Sequence, residues 1–281
     1  MRNRRPVRAG AEVLARRSRL DTELVRRGLA RSRTQAAELI DAGLVTVAGA
    51  AATKAASQVG TDQAILVTEP DDGPRYVSRG GHKLAGALAA FTPRGLTVRG
   101  RRCLDAGAST GGFTDVLLRE AAAHVVAVDV GYGQLAWSLR SDDRVTAVDR
   151  VNVRDLTPEL VGEPPELVVG DLSFISLALV LPALVRCAAP GADLVLMVKP
   201  QFEVGKDRVG AGGVVRDPEL RAEAVRKVAA AAAAEGLGVN GVTASPLPGP
   251  SGNVEYFLWL TAGAPALDDA DLAAALAEGP R

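Results

Sequence analysis

Four charged side chains in this 281-residue chain stand where a charge needs a reason: Lys83, Asp171, Lys199 and Glu255. Lys199 closes the apolar run LVLMV at 194–198, which reads as a strand buried on both faces of a parallel sheet. Burial disfavours an ammonium and lowers its pKa unless carboxylates compensate. Asp171 and Glu255, each beside another apolar run, are the candidates for that compensation. Lys83 follows two glycines at the start of an apolar helical stretch. The positive end of a helix dipole disfavours a cation there, so a functional partner explains it better than helix stability does. Two cations and two anions form a set that is neutral when partly buried, and a purely structural ion-pair cluster meets the same demand. The chemistry open to such a set is activation of a hydroxyl. That group is a poor nucleophile, to be held in line with an electrophile while its proton is removed or its charge stabilised. Lys199 serves as base if its pKa is depressed and as charge stabiliser if not; residue types leave both open.

A site for the electrophile is legible in LDAGASTGGFT at 104–114. Gly107, Gly111 and Gly112 carry no Cβ to hold a ligand away from the backbone. Their spacing is not the Gly-x-Gly-x-x-Gly of dinucleotide-binding enzymes. Asp105 precedes the turn and Asp129 closes the next apolar run, an arrangement suited to a cationic cofactor without phosphate. S-adenosylmethionine, with its amino group, sulfonium and ribose diol, is such a ligand. Asp129 is placed to accept hydrogen bonds from the ribose hydroxyls, and Asn152 and Val153 to meet the adenine. Ser109, Thr110, Phe113 and Asp171 complete the expected lining. In the plainer alternative, Asp129 caps the following helix.

These residues need a scaffold that gathers them. From residue 102 the chain alternates strand and helix patterns, the mark of a parallel sheet. Strands are expected at 102–106, 124–130, 145–148, 167–171 and 193–199. Helices are expected near 111–120, 132–140, 157–161 and 176–187, with a long Ala-rich helix over 218–235. Two more strands, 239–244 and 254–260, are joined by a loop too short for a crossover helix, so the last should run antiparallel. Ligands bind outside the carboxyl ends of such strands, where the chemistry-bearing residues fall. Before this region, two short helices starting near Leu20 and Ser32 precede strands at 44–47 and 64–67. The turn-rich EPDDGPR at 69–75 reads as a linker. The expected division is therefore a basic arm at 1–17, a small α+β domain at 18–68, a linker at 69–77, an α/β domain at 78–263 and a tail at 264–281 carrying one marginal helix.

Composition narrows the classes. Residues 1–60 hold 12 Lys/Arg against 5 Asp/Glu, whereas the remainder holds 21 against 28. That asymmetry suits a nucleic-acid-binding front on a mildly acidic body. Two cysteines and two histidines are too few and too scattered for a disulfide framework or a zinc site. No apolar run approaches the ~18 residues of a membrane span, and the arginine-rich start lacks an apolar signal core. A cytoplasmic, monomeric, soluble protein without membrane contact is expected.

Residues 20–47, with LD at 20–21, LV at 24–25, RGLA at 27–30 and SR at 32–33, resemble the S-four-type RNA-binding domain. The ordered motifs SRGGHK (78–83), LDAGASTGGFT (104–114), VDVGYGQ (128–134), DLSFIS (171–176), VKPQFE (198–203) and GNVE (252–255) resemble the TlyA-type ribosomal RNA methyltransferases, some of which go by the name hemolysin. The resemblance spans about 17–261. It implies a Rossmann-like methyltransferase fold, a mostly parallel seven-stranded sheet with a terminal antiparallel strand, behind the small RNA-binding domain. It further implies S-adenosylmethionine-dependent 2′-O-methylation of cytidines in ribosomal RNA of the small and often the large subunit. The Lys-Asp-Lys-Glu set of the related FtsJ-type enzymes falls on Lys83, Asp171, Lys199 and Glu255. RNA contacts are expected from Arg19, Arg26, Arg27, Arg31 and Arg33, and from Lys206 and Arg208 in the glycine-rich 203–213 loop. The RYVS stretch at 75–78 is expected to couple RNA docking to ordering of the cofactor site. A ribosome-assembly protein with a vestigial cofactor fold and a membrane-lytic protein are the rival classes. Removing residues 1–70 should reduce both RNA affinity and its salt sensitivity, since phosphate contacts carry both; filter binding across a salt series measures this.

Overall fold

A computed structural model describes residues 17–61, 63–67 and 75–280, so the expected basic arm lies outside the described residues except for Arg17. The chain divides into two units, Met1–Pro74 and Arg75–Arg281.

In the first unit, strand β1 (Arg17–Arg19) leads into helices α1 (Leu20–Arg26) and α2 (Arg33–Asp41). Ser32 caps α2 by accepting the Gln35 N–H, as its sequence position suggests. Strands β2 (Val45–Val47), β3 (Ala50–Ala51), β4 (Gln58–Gly60) and β5 (Ile65–Val67) follow. β2 pairs antiparallel with β3 and β5. β1 pairs with β4, a strand pair the sequence pattern does not announce, because three polar-rich residues carry too little periodicity. Leu20, Leu24, Ala36, Ile40, Val45 and Val59 form this unit's small core.

The second unit begins with α3 (Gly80–Phe91). Its sheet is built from β6 (Arg102–Ala106), β7 (His124–Asp129), β8 (Val145–Asp149), β9 (Leu167–Gly170), β10 (Asp193–Val198), β11 (Leu237–Ala244) and β12 (Tyr256–Ala262). The helices between them are α4 (Gly112–Arg119), α5 (Trp137–Arg140), α6 (Pro158–Val161), α7 (Leu181–Cys187), α8 (Pro200–Glu203) and α9 (Pro218–Ala234), with α10 (Asp269–Glu278) closing the chain. The strand order is β11-β12-β10-β9-β6-β7-β8, and β12 runs antiparallel to both of its neighbours.

Alternation along each strand sends side chains to two faces. Leu104, Ala106, Leu194, Leu196 and Val198 join α7, α9 and α10 in one apolar cluster. Cys103, Val125, Val195 and Met197 join α3 and α4 in the other. Both faces are thus covered, which is why the strands read as near-continuous apolar runs.

Several boundaries differ from expectation for identifiable reasons. The helix expected over 132–140 shrinks to α5, since Gly133 takes a φ of 65° and cannot continue a right-handed turn. The expected tail is part of the core: Leu272 and Ala275 of α10 are buried in the first cluster. Residues 75–77 belong to the second unit, where the Asp115 carboxylate on α4 accepts the Val77 N–H at 2.9 Å. Arg119 donates to the Arg75 carbonyl at 2.5 Å and lies over the Tyr76 ring. The stretch leaving the expected linker is thereby fastened to the helix that follows the glycine turn.

Asp105 shares the β6 face of Cys103 and is wholly buried. Burial pushes its carboxyl up to about 7, the charge of Asp171 adding to the effect and a hydrogen bond from the Thr114 hydroxyl at 2.7 Å opposing it. Because the folded state keeps this proton longer than the unfolded chain, the contribution is full below about pH 4 and declines until about pH 7. Asp105→Asn should remove that decline, read as a flatter curve of melting temperature against pH across this window.

Candidate active site

At the carboxyl edge of the sheet, the four predicted catalytic residues resolve into two ion pairs. Lys199 follows β10, and Pro200 at the first position of α8 leaves it in extended backbone, φ −110°. Its Nζ lies 2.5 Å from Asp171 Oδ1, just past β9, and donates to the Ser173 hydroxyl at 2.9 Å. The contact with Asp171 lacks hydrogen-bond angles and acts through charge. Lys83, in the first turn of α3, sits 2.5 Å from Glu255 Oε2, immediately before β12. Lys83, Lys199 and Glu255 are buried. The compensation expected for Lys199 therefore comes from Asp171, while Glu255 serves Lys83. The two pairs share a wall: a methyl group on Gly80, at the start of α3, would lie 4.0 Å from Asp171 Oδ2.

The glycine turn joins β6 to α4. Gly107 and Gly111 take φ of 87° and 100°, conformations that suit glycine, and Ser109 shares the left-handed region at 48°. Asp129 binds the turn to the next loop, accepting the Ser109 N–H at 2.8 Å on Oδ2 and the Gly131 N–H at 2.6 Å on Oδ1. Each oxygen retains a lone pair for a ligand hydroxyl. All three glycines of the turn are also closely packed: a Cβ would lie 2.3 Å from Ser78 Oγ at Gly112, 2.3 Å from Leu139 Cδ1 at Gly111 and 2.9 Å from Leu172 Cδ2 at Gly107. The Phe113 ring is buried against Phe257 at a centroid distance of 6.1 Å, leaving only its backbone to face a ligand. Asn152 caps the short turn Val153–Asp155 by accepting the Arg154 N–H, and the Val153 side chain lies in the first core cluster. Thr110 adds a backbone carbonyl that accepts the Ala136 N–H at 3.2 Å.

Two site residues escaped sequence reasoning. Ser173 carries no pattern of its own. Glu203, visible only as the last letter of VKPQFE, is buried and accepts the Ser176 hydroxyl at 2.5 Å and the Leu177 N–H at 2.8 Å. It latches the segment carrying Asp171 to the segment following Lys199. Burial raises its carboxyl above the ordinary range.

Among the expected RNA contacts, Arg19 and Arg33 pair with Asp21, and Arg26 and Arg27 with Glu23. Arg27 is further tied to the carbonyls of Gln63 and Thr61 at 2.8 and 2.9 Å, which makes it chiefly structural. Arg31 is exposed without an ion pair among the described residues. Lys206 is exposed, whereas Arg208 holds Glu223 on α9 through two bonds of 2.6 Å. The glycine-rich stretch around them is folded into two short turns. Asn253 fastens it, donating to the Gly213 carbonyl and accepting the Val215 N–H.

Residues 76–262 match the FtsJ-like methyltransferase family, and residues 18–65 match the S4 domain. The chain is 61% identical over 273 residues to the 16S/23S rRNA (cytidine-2′-O)-methyltransferase TlyA of Mycobacterium tuberculosis, covering 95% of this chain and 100% of that one. It is 37% identical to Hemolysin A of Brachyspira hyodysenteriae over 85% of this chain and 97% of that protein. A solved structure of a hemolysin-named protein from Streptococcus thermophilus superposes with a TM-score of 0.74 at 38% identity, over 93% of this chain and 95% of that one. These matches, over most of the chain and at this identity, show that it belongs to the FtsJ-like methyltransferase family, among the TlyA proteins.

Proposed function

We propose that the chain transfers the methyl group of S-adenosylmethionine to the ribose 2′-hydroxyl of cytidines in ribosomal RNA of the small and large subunits. In this reading it acts as a cytoplasmic monomer, with the first unit docking on the RNA. The observation that carries the proposal is the meeting, at one sheet edge, of the glycine turn with the Lys199–Asp171 and Lys83–Glu255 pairs.

The residues present fit the cofactor. Asp105 Oδ1 is buried with no hydrogen-bond partner among the described residues, an acceptor that a donor group of the cofactor would satisfy. Asp129 has acceptor capacity for a ribose diol, and the backbone at Asn152 and Val153 for adenine. The cofactor supplies a methyl group already activated by the sulfonium, so its departing thioether needs no acid. What remains is the hydroxyl. Lys199 donates one N–H to Ser173 and is held beside Asp171 by charge, leaving N–H donors for the target oxygen. Its charge then stabilises the oxygen as negative charge develops on it, while the oxygen–methyl bond forms, the sulfur–methyl bond breaks and the hydroxyl proton passes to solvent water. Glu203 keeps Lys199 and Asp171 in register, which matters because in-line attack is sensitive to small displacements.

Against the lytic reading that the hemolysin name of relatives suggests, no described helix is long and apolar enough to cross a membrane. Lys199→Ala should lower methyl transfer to unmethylated ribosomal subunits by about 100-fold or more with cofactor affinity retained, measured by labelled methyl incorporation and calorimetry. A near-normal rate would remove Lys199 from the mechanism. Wild-type protein that binds cofactor without transfer would favour an assembly role. Glu255→Ala, which leaves the Lys83 ammonium buried and unpaired, should cost about 3 kcal/mol of folding stability as well as activity, and denaturant titration reads the difference.

A further inference from the structure

The opening helix of the first unit buries two carboxylates, Asp21 at 4% and Glu23 at 0% exposure, in a unit read as an RNA docker. Acids are rarely buried unless paired. Here each is filled by guanidiniums. Asp21 takes Arg19 through Nε and Nη2 at 3.1 and 2.8 Å, and Arg33 through Nη2 at 2.9 Å. Glu23 takes Arg26 through Nε and Nη2 at 2.7 and 2.5 Å, and Arg27 through Nε at 2.7 Å. These bonds hold the Asp21 carboxyl well below the ordinary range and bring Glu23 to about 2. The arginine side chains are not equally enclosed. Arg27 is 21% exposed, whereas Arg19, Arg26 and Arg33 keep 44%, 58% and 60%.

Charge attraction alone gains nothing from this arrangement, since two carboxylates halve the positive charge of four guanidiniums. Geometry does gain. A guanidinium has five N–H donors in a rigid fork. One held by a buried acid still presents its outer edge to a phosphate, and its rotamers are already restricted before binding. We propose that Asp21 is a positioning residue for RNA, fixing Arg19 and Arg33 as a preorganised pair of phosphate contacts. Glu23 does the same for Arg26. The proposal rests on the reading that this unit docks on ribosomal RNA.

Binding of the full chain to unmethylated ribosomal subunits and to poly(U) tests it. The variants are Asp21→Asn, Asp21→Glu and Arg33→Ala, each checked for an unchanged far-ultraviolet spectrum and melting curve. Asp21→Asn should bind subunits about tenfold more weakly, the cost of ordering two arginines on binding, although it makes the surface more positive. Its affinity for poly(U), which needs charge more than arrangement, should be unchanged or higher. Should Asp21→Asn fail to fold, Asp21→Glu is read in its place, because it keeps the charge and displaces both guanidiniums; the same loss is expected. Subunit affinity equal to or above wild type in the folded Asp21 variant overturns the positioning role. Undiminished subunit affinity in Arg33→Ala overturns the paired contact as well, whereas undiminished affinity after removal of residues 1–70 instead overturns the docking reading on which it rests.

Discussion

A lysine at the end of a strand buried on both faces cannot stand there alone, and the carboxyl edge of the sheet is organised by that constraint. Removing an ammonium from water is costly unless an anion lies close, so each lysine brings a carboxylate from elsewhere in the chain. Lys199 draws in the segment after β9, and Lys83 draws in the approach to β12. The loops at the sheet edge are placed by these pairings as much as by the strands. Glu203 then fixes the Asp171 segment against the Lys199 segment, and Asp129 fixes the glycine turn against the loop beyond β7. Asp129, Asp171, Glu203 and Glu255 thus each tie one loop of this edge to another segment.

The same device appears in the first unit with different cations. There the acids are inside and the arginines outside, so the fixed charges face solvent instead of a reacting atom. Lysine suits the buried edge, where a compact charge must meet one oxygen. Arginine suits the surface, where a planar fork can be gripped on one side and still offer donors on the other.

The apolar runs made the sheet and its antiparallel last strand legible, because the central strands β6, β9 and β10 are buried on both faces, whereas the edge strand β8 is only half-buried. What was not legible depends on side chains far apart in sequence. Nothing local in 83 or 255 says that those residues pair with each other rather than with Lys199. The packing at Gly112 was not legible because the groups that would crowd a Cβ there, Ser78 and Gly81, lie 31–34 residues earlier. Phe113 looked like lining because its partner Phe257 comes from the last strand. Arg27 and Arg208 looked like free cations because a sequence shows charges without their counter-ions. The β1–β4 pair was missed because each strand has only three residues.

The separation of Lys83 from Glu255, 172 residues, has a consequence for synthesis. A growing chain holds every residue of β6 to β10, and of the Lys199–Asp171 pair, before Glu255 has been made. Until the last strand inserts between β10 and β11, Lys83 has no counter-ion and the sheet keeps an open edge at β10. Contacts so distant in sequence close late in folding. A protein whose proposed target is the ribosome therefore cannot form its Lys83–Glu255 pair until a ribosome has made residue 255.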